Sequence, residues 1–260
     1  MEVLLSAMHL DNWEYIKTLN ITSDAVVINQ CDREEKYVVD NAGRQVTFIS
    51  TKERGLSKSR NMAINNATSD ICIICDNDVE YVSNYEKIIE DKFKEHPEAA
   101  VIVFYIQRDE ESKPYSKKEC KLNHKLALRV FSPEIAFRKS KLEGKNIVFN
   151  EEFGAGSKRM MGEENIFLYE CLRKKLKVMY VPIKIAELRF EESTWKINGR
   201  HEKFFKDKGA CFYAMTPAFS TLMNLQFVVR KRTMYDMSMF KAFKYMQQGK
   251  KEYKMGVKNE

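Results

Sequence analysis

The sequence predicts an α/β fold, with a mainly parallel sheet flanked by helices and a helical appendage at the C-terminal end. Short apolar runs typical of strands alternate with segments whose apolar residues recur at helical spacing. The run Ile71-Cys72-Ile73-Ile74-Cys75 is continuously apolar, which is typical of a strand covered on both faces. From about Thr216 onward the pattern is helical and rich in Met, Phe, Tyr and basic residues.

The elements follow one another in a regular order. Helices are predicted from residue 11 to 19, over 57–66 with Ser57 as the capping residue, from 85 to about 97, and over 163–175. Pro182 lies within the last predicted strand and places that strand near a sheet edge. Residues 107–150 are predicted to be a loop-rich insertion with a strand or two, and the domains to span 1–215 and 216–260. The strands are predicted at 3–5, 25–28, 46–49, 71–75, 99–106 and 178–185.

Composition narrows the class of protein. The 260 residues carry 44 basic and 37 acidic side chains, a net charge of +7, which allows nucleotide phosphates or an anionic membrane surface as partners. The sequence shows no motif for RNA or DNA, so nucleic acid is not expected. The six cysteines are scattered, which predicts buried free thiols in a reducing cytoplasm. With no signal peptide and no apolar run of about 18 residues, we expect a cytoplasmic protein, at most peripheral at the inner face of the cell membrane.

The most informative motif is Asp76-Asn77-Asp78, directly after the apolar strand. In open α/β sheets, ligands bind at the carboxyl ends of the strands. In an extended segment Asp76 and Asp78 would point the same way, and paired carboxylates suit a divalent cation and the phosphates it neutralises. The alternative is a simple turn, which Asp and Asn also favour. The position after a buried strand favours the cation site.

Three further signals surround this motif, each with a structural alternative. Asn29 and Gln30 end a predicted strand, where amides can bind a base or sugar or simply form a turn. The segment 55–61, GLSKSRN, joins a glycine to a basic helix start that suits an anion or merely faces solvent. Glu163 and Glu164 begin a predicted helix, where acids also complement the helix dipole.

Together these motifs resemble the nucleotide-sugar glycosyltransferases of family 2, which have the GT-A fold. The resembling stretches span residues 26 to 210 and look most like bacterial enzymes that build capsular and other surface polysaccharides. They are VVINQ, GLSKSRNMAINNATSDICIICDNDVEY, EEFGAGSKRMMGEENIFL and STWKINGRHEKFFKDKGA.

The resemblance implies an inverting, metal-dependent enzyme that moves a sugar from a UDP-sugar, or another nucleoside diphosphate sugar, to a glycan or lipid-linked acceptor hydroxyl. It implies that Asp78 binds Mn²⁺ or Mg²⁺ at the diphosphate. Glu164 matches the catalytic base, with Glu163 as the fallback. The other implied contacts are to the nucleotide (Asn29, Gln30, Ser57, Arg60 and Asp76) and to the sugar or acceptor (Ser193 and Trp195).

One departure from the family pattern bears on the metal. Family members often carry a histidine before the S-T-W segment, and Leu188 stands at that position. The metal would then be held by Asp78, the diphosphate and water, or also by Glu187 or Glu191. Leu188 also motivates a second hypothesis, a catalytically inactive nucleotide-binding or scaffold relative. A third, a sugar nucleotidyltransferase, lacks support because the first strand is not followed by a glycine-rich basic loop.

The basic, aromatic C-terminal segment has two interpretations. It could form an amphipathic helix at a membrane interface, through Met223, Phe227, Met234, Met237, Phe240 and Phe243. Alternatively, the same helix packs on the domain or on a second subunit, as in a homodimer. The sequence slightly favours packing.

Overall fold

All strands belong to one ten-stranded sheet in a computed structural model that describes residues 1–189 and 201–256. The strand order is β3-β4-β2-β1-β5-β9-β7-β10-β6, and β8 pairs with β10. The strands are β1 Glu2–Met8, β2 Asp24–Gln30, β3 Glu35–Asn41, β4 Arg44–Thr51, β5 Ile71–Asp76, β6 Val79–Tyr81, β7 Val101–Gln107, β8 Cys120–Lys121, β9 Ile135–Arg138 and β10 Val178–Leu188.

The sheet is mixed but mainly parallel, as the sequence predicts. Strands β4, β2, β1 and β5 pair in parallel, and β7 pairs in parallel with β10. Strand β9 lies antiparallel to both β5 and β7, so those two run in the same direction. Six strands therefore share one direction, and their carboxyl ends lie at one edge of the sheet.

Helices cover both faces of the sheet. One apolar layer contains Cys72 of β5 and the other contains Cys75, as expected for a strand whose side chains alternate between two cores. All six cysteines are free thiols, five of them buried, and Cys120 is partly exposed. The helices are α1 Tyr15–Thr18, α2 Leu56–Asn66, α3 Tyr85–Glu95, α4 His124–Ala127, α5 Lys139–Glu143, α6 Glu163–Arg173, α7 Glu202–Met215, α8 Ser220–Arg230 and α9 Met239–Gly256, with 3₁₀ turns at Ser132–Glu134 and Arg232–Met234.

One predicted element differs from the structure: the helix expected from residue 11 is a single turn, Tyr15–Thr18. Strand β10 lies next to the edge of the sheet, as predicted, since it pairs with β7 on one side and only with the short strands β6 and β8 on the other. The register of β10 against β7 shifts between Tyr180 and Lys184, and this irregularity accommodates Pro182, which has no N–H to donate.

The C-terminal helices continue the main core rather than forming a separate one. Ala242, Met246 and Tyr253 of α9 are buried in the same apolar layer as Phe167 of α6. Helices α7 and α9 approach so closely that a Cβ at Gly209 would overlap the Met246 backbone. The boundary at residue 215 stays a prediction. None of the helices in residues 1–189 and 201–256 is both long and apolar enough to cross a membrane.

Candidate active site

The Asp76-Asn77-Asp78 motif lies at the carboxyl end of β5, in the middle of the sheet. Asp76 is the last residue of the strand, and the next two residues turn the chain into β6. Residues 77 and 78 therefore form a turn. Because they are not extended, the alternation of side chains that would point Asp76 and Asp78 the same way does not apply. Two neighbours fix the turn: the Tyr15 hydroxyl donates to the Asn77 carbonyl at 2.8 Å, and the Arg189 N–H donates to the Asp78 carbonyl at 2.8 Å.

Arg60 joins this motif to the second acidic pair. Its Nη2 donates to Asp76 Oδ1 and its Nη1 to Glu163 Oε1, both at 2.9 Å. The Arg60 side chain is 1% exposed, and its guanidinium carbon lies 5.5 Å from the centre of the Phe149 ring. Burial lowers the pKa of Arg60, but the carboxylates of Asp76 and Glu163 outweigh it and raise the pKa overall. A fixed cation therefore lies between the two acidic motifs.

The second acidic pair starts helix α6 after a tight turn at Gly162. Gly162 has φ +95°, and a Cβ there would overlap Sγ of Cys211 in α7, so only glycine fits. Glu163 is buried against Arg60, whereas Glu164 is partly buried. Burial, reinforced by the adjacent Glu163 carboxylate, raises the pKa of Glu164 to about 8. A carboxylate with this pKa is a stronger base than an ordinary glutamate.

The N-terminus of α2 forms another wall of the site. Gly55 precedes the helix with φ +119°, so the predicted cap at Ser57 is wrong. Ser57 is buried in the first turn and donates from Oγ to the Phe153 carbonyl at 2.7 Å. Gln30, at the end of β2, accepts from the Gly55 N–H at 2.8 Å. The predicted residues Gln30 and Ser57 are therefore brought together with Arg60, where they hold α2 in place.

Asn29 is completely buried beside this wall. Its side chain accepts from the Leu10 N–H at 2.8 Å and donates to the Leu10 carbonyl at 2.9 Å. The amide thus fixes the loop that follows β1.

Sequence reasoning gave no role to Asn61, the last residue of the GLSKSRN segment. Its amide donates to the Phe149 carbonyl and accepts from the Phe149 N–H, each at 2.9 Å. The Phe149 ring packs on the buried Arg60 guanidinium, so Asn61 holds that ring in position through the Phe149 backbone. The only available signal was the place of Asn61 directly after Arg60.

The residues around Asp78 offer hard oxygen ligands of the kind that Mg²⁺ and Mn²⁺ prefer. Leu188 lies opposite Val79 in the β10–β6 pairing, one residue from Asp78, and cannot ligate a metal. Glu187 lies one position along β10 and pairs with Lys184 at 3.3 Å. In the described part of the chain, no group of three close ligands includes Asp76 or Asp78. The donor set fits a cation that also takes ligands from a bound diphosphate and water.

A group of possible ligands occurs elsewhere, at the end of α3. It consists of Glu95, His96 and Glu119, but the Lys92 ammonium already contacts both glutamates, at 2.5 and 2.8 Å. The predicted sugar or acceptor residues Ser193 and Trp195, and also Glu191, lie outside the described residues.

A mainly parallel sheet with an acidic motif at the end of a central strand, joined through a buried arginine to a second acidic pair, is the arrangement expected of a glycosyltransferase with the GT-A fold. The model of "Glycosyl transferase family 2" matches residues 25–164, more than half of the chain. The chain belongs to this family and is a glycosyltransferase.

Solved structures with a similar fold include the S. aureus protein TarS. A structure of TarS residues 1–349 is 12% identical, with a TM-score of 0.59, and the match covers 98% of this chain and 92% of that one. The same fragment in complex with UDP-GlcNAc is 11% identical over the same shares, with a TM-score of 0.63. A longer TarS structure is 14% identical, with a TM-score of 0.62, covering 90% of this chain and 44% of that one. No curated protein matches the sequence.

Proposed function

We propose that this glycosyltransferase moves a sugar from a UDP-sugar to a hydroxyl of a glycan or lipid-linked acceptor, with inversion at the anomeric carbon. The observation that supports it best is the double ion pair of Arg60, which links Asp76 of the donor-side motif to Glu163 of the base-side pair. Inverting transfer needs a leaving diphosphate stabilised on one side and a carboxylate base on the other.

UDP-GlcNAc is the first donor to test. The similar TarS fragment was solved in complex with UDP-GlcNAc. At 11% identity that likeness concerns the fold alone, so a panel of donors is needed. We propose that Asp76 borders the nucleotide. The buried residues Arg60, Ser57, Asn29 and Gln30 support the same site by holding Asp76, α2 and the adjoining loops in place.

We propose that Asp78, together with the donor's phosphates and water, holds Mn²⁺ or Mg²⁺. When bound, such a cation neutralises charge on the leaving diphosphate. Asp76 contacts the nucleoside part of the donor, and the hydrogen bond from Arg60 fixes the orientation of the Asp76 carboxylate.

Glu164 is the better of the two candidates for the base. Glu163 accepts from the buried Arg60 guanidinium through one carboxylate oxygen, so its side chain is held against Arg60. The raised pKa of Glu164, about 8, suits removal of a proton from an acceptor hydroxyl. We therefore assign Glu164 as the base and Glu163 as the residue that orients the α6 N-terminus against Arg60.

The residues proposed to contact the acceptor are supported by the family resemblance alone. Ser193 and Trp195 remain candidates for the sugar or acceptor pocket. A lipid-linked acceptor would bring the enzyme to the inner face of the cell membrane.

The test is a donor panel with and without Mn²⁺, in which released UDP is measured. We expect UDP release from one donor, and an NMR spectrum of the product gives the anomeric configuration. Glu164→Gln should leave UDP affinity unchanged and lower transfer about 100-fold or more. The matched variant Glu163→Gln should reduce transfer less. The reverse order of the two variants would contradict the assignment of the base.

A second candidate, a nucleotide-binding relative without turnover, is favoured by Leu188 beside Asp78. It predicts UDP binding with no UDP release from any donor. Release of pyrophosphate would instead indicate a nucleotidyltransferase.

A further inference from the structure

Helix α8 packs against the protein on one face and exposes apolar side chains on the opposite face. One face is buried against the body of the protein through Asn224 and Val228, with Phe227 partly buried beside them. The other face exposes Leu222, Leu225 and Val229 at spacings of three and four residues, which places them along one side of the helix. They are 64%, 49% and 56% exposed.

Exposed large apolar side chains are concentrated in this part of the chain. Among the described residues, eight of the twelve lie between Phe219 and Met255, and four lie elsewhere. Phe219 at the start of α8 is 64% exposed, and Phe240 in α9 is 79% exposed. Single exposed apolar residues need no explanation, but such a concentration marks an interaction surface.

The sequence prediction of an interfacial helix named different residues. Met223, Phe227, Met237 and Phe243 pack against the core, whereas Met234 and Phe240 are exposed. Both sequence interpretations therefore apply, to different faces: the segment packs on the domain and also leaves an apolar face uncovered.

The charge around this face is strongly one-sided. Residues 209–251 contain seven basic side chains and a single acidic one, Asp236. Three of the basic residues, Arg230, Lys231 and Arg232, follow directly at the end of α8, and all three are exposed. An apolar stripe bordered by cations is complementary to an anionic bilayer, whose headgroups attract lysine and arginine while its interface accepts apolar side chains.

A second copy of the chain fits the same surface less well. A twofold dimer through α8 would place two copies of the same net basic segment against each other, with one acidic side chain for every seven basic ones. Juxtaposed like charges oppose such an interface.

We propose that the exposed face of α8, formed by Phe219, Leu222, Leu225 and Val229 and bordered by Arg230, Lys231 and Arg232, docks the enzyme on an anionic membrane surface. This surface lies on a different element from Asp76, Arg60 and Glu163. The proposal therefore stands apart from the donor and acceptor proposed above.

The test is co-sedimentation of the full chain with vesicles. We expect binding to phosphatidylcholine vesicles that contain phosphatidylglycerol, little binding to phosphatidylcholine alone, and weakening by added salt. The triple variant Leu222→Gln/Leu225→Gln/Val229→Gln should bind about tenfold more weakly or worse. A matched control changes three exposed apolar residues on other elements, Val38→Gln/Leu128→Gln/Val148→Gln, and should bind like the wild type.

A second pair of variants tests the charges separately. Arg230→Gln/Lys231→Gln should weaken binding to anionic vesicles about tenfold, while Lys117→Gln/Lys118→Gln, with the same loss of charge elsewhere on the surface, should have much less effect. Near-UV circular dichroism and UDP affinity check that each variant is folded.

Failure to bind anionic vesicles would overturn the proposal, as would a triple variant that binds like the wild type. A wild-type dimer in analytical ultracentrifugation that the triple variant converts to monomer would also overturn it, in favour of a second copy on α8. Since vesicle binding needs neither donor nor acceptor, its failure would leave the proposed transfer reaction untouched, and loss of UDP release would leave the docking result untouched.

Discussion

At the scale of single residues, the site depends on one buried cation. Arg60 is 1% exposed and balances two carboxylates that come from distant parts of the chain. Removing one partner of a buried ion pair leaves an uncompensated charge, which is more costly than the pair itself is favourable. Arg60 therefore contributes to the fold as well as to the site.

We expect Arg60→Met to lower the free energy of unfolding by about 3–5 kcal/mol, because Asp76 and Glu163 are left unpaired. Urea unfolding measures the change. The matched control is Lys58→Met, two positions earlier. The Lys58 side chain is 42% exposed, and its ammonium makes a long ion pair of 4.0 Å with Glu53. Because such a surface pair contributes little, we expect the free energy of unfolding to change by less than about 1 kcal/mol. The double variant Arg60→Met/Glu163→Gln should recover part of the loss. Equal stability of Arg60→Met and the wild type would contradict the role of the ion pair.

The pKa of Glu164 predicts a pH dependence of transfer. Below about 8 the Glu164 carboxyl is protonated and cannot accept a proton, so kcat/KM for the acceptor should fall about tenfold per pH unit as the pH decreases. UDP affinity measured over the same range provides the control, because donor binding does not require a free base. A pH-independent kcat/KM between 6 and 8, together with full activity, would exclude Glu164 as the base.

The same pKa also predicts a pH dependence of stability. Folding raises the pKa of Glu164 from 4.5 to about 8, so between these values the native state holds a proton that the unfolded chain releases. The free energy of unfolding should therefore fall as pH rises through this window. In Glu164→Gln this contribution is absent, and urea midpoints measured from pH 5 to 8 should decline less steeply than in the wild type. Parallel declines in the two proteins would contradict the prediction.

At the scale of elements, the turn before α6 depends on the packing of α7. Gly162→Ala should be strongly destabilising, since φ +95° is unfavourable for alanine and its Cβ would overlap Cys211. Gly43→Ala is a matched control, because Gly43 has φ +82° but no atom within 4 Å of the added Cβ. We expect a loss of about 1–2 kcal/mol for Gly43→Ala and about 2–5 kcal/mol for Gly162→Ala, measured by urea unfolding. Adding Cys211→Ala should recover part of the stability lost in Gly162→Ala, because it removes the overlapping sulfur, but none of that lost in Gly43→Ala.

The sequence was informative for elements whose pattern is local. The buried strand β5 and helices α2 and α6 were predicted nearly at their observed bounds, because apolar periodicity and glycines mark them directly. Strands β6 and β9 were not predicted individually, since their antiparallel pairing depends on neighbours far away in the sequence. Strand β3 pairs locally with β4, but it is an exposed, charged edge strand without the apolar run that marks the other strands. Strand β9 lies between β5 and β7 only because residues 107–134 return the chain across the sheet.

The same distinction holds within the site. The motifs identified the acidic and basic residues, but not which acid Arg60 would bind, because Arg60 and Glu163 are separated by 103 positions. Nor could the sequence show that Asn29 is occupied by the Leu10 backbone, or that Ser57 follows the start of its helix rather than capping it. These outcomes depend on loops that the sheet brings together at its carboxyl edge.

At the scale of the whole molecule, the C-terminal helices hold the loop that leads to the site. Arg159 lies 4.7 Å from the centre of the Tyr253 ring of α9, and Asn150 donates to the Tyr253 hydroxyl at 3.0 Å. Asp207 of α7 accepts from the Met160 N–H at 3.0 Å. The loop between α5 and α6, which leads to Glu163, is thus held by α7 and α9.

We therefore expect truncation after Met215 to abolish cooperative folding, because it exposes the apolar surface that Ala242, Met246 and Tyr253 cover. Thermal unfolding followed by circular dichroism tests this. The milder variant Tyr253→Phe removes only the hydroxyl that Asn150 contacts, and should cost about 1 kcal/mol. A truncated chain that melts as sharply as the full one would mean that residues 1–215 are an independent domain.

The long-range link through Arg60 also has a consequence for how the protein folds. Closing a loop of 103 residues carries an entropic cost that must be met by the contacts formed between its ends. No fragment that ends before residue 163 can hold both carboxylates around the guanidinium. During refolding, nucleotide affinity should accordingly return only when Arg60 and Glu163 have come together, which makes a fluorescent UDP analogue a kinetic reporter of the completed native topology.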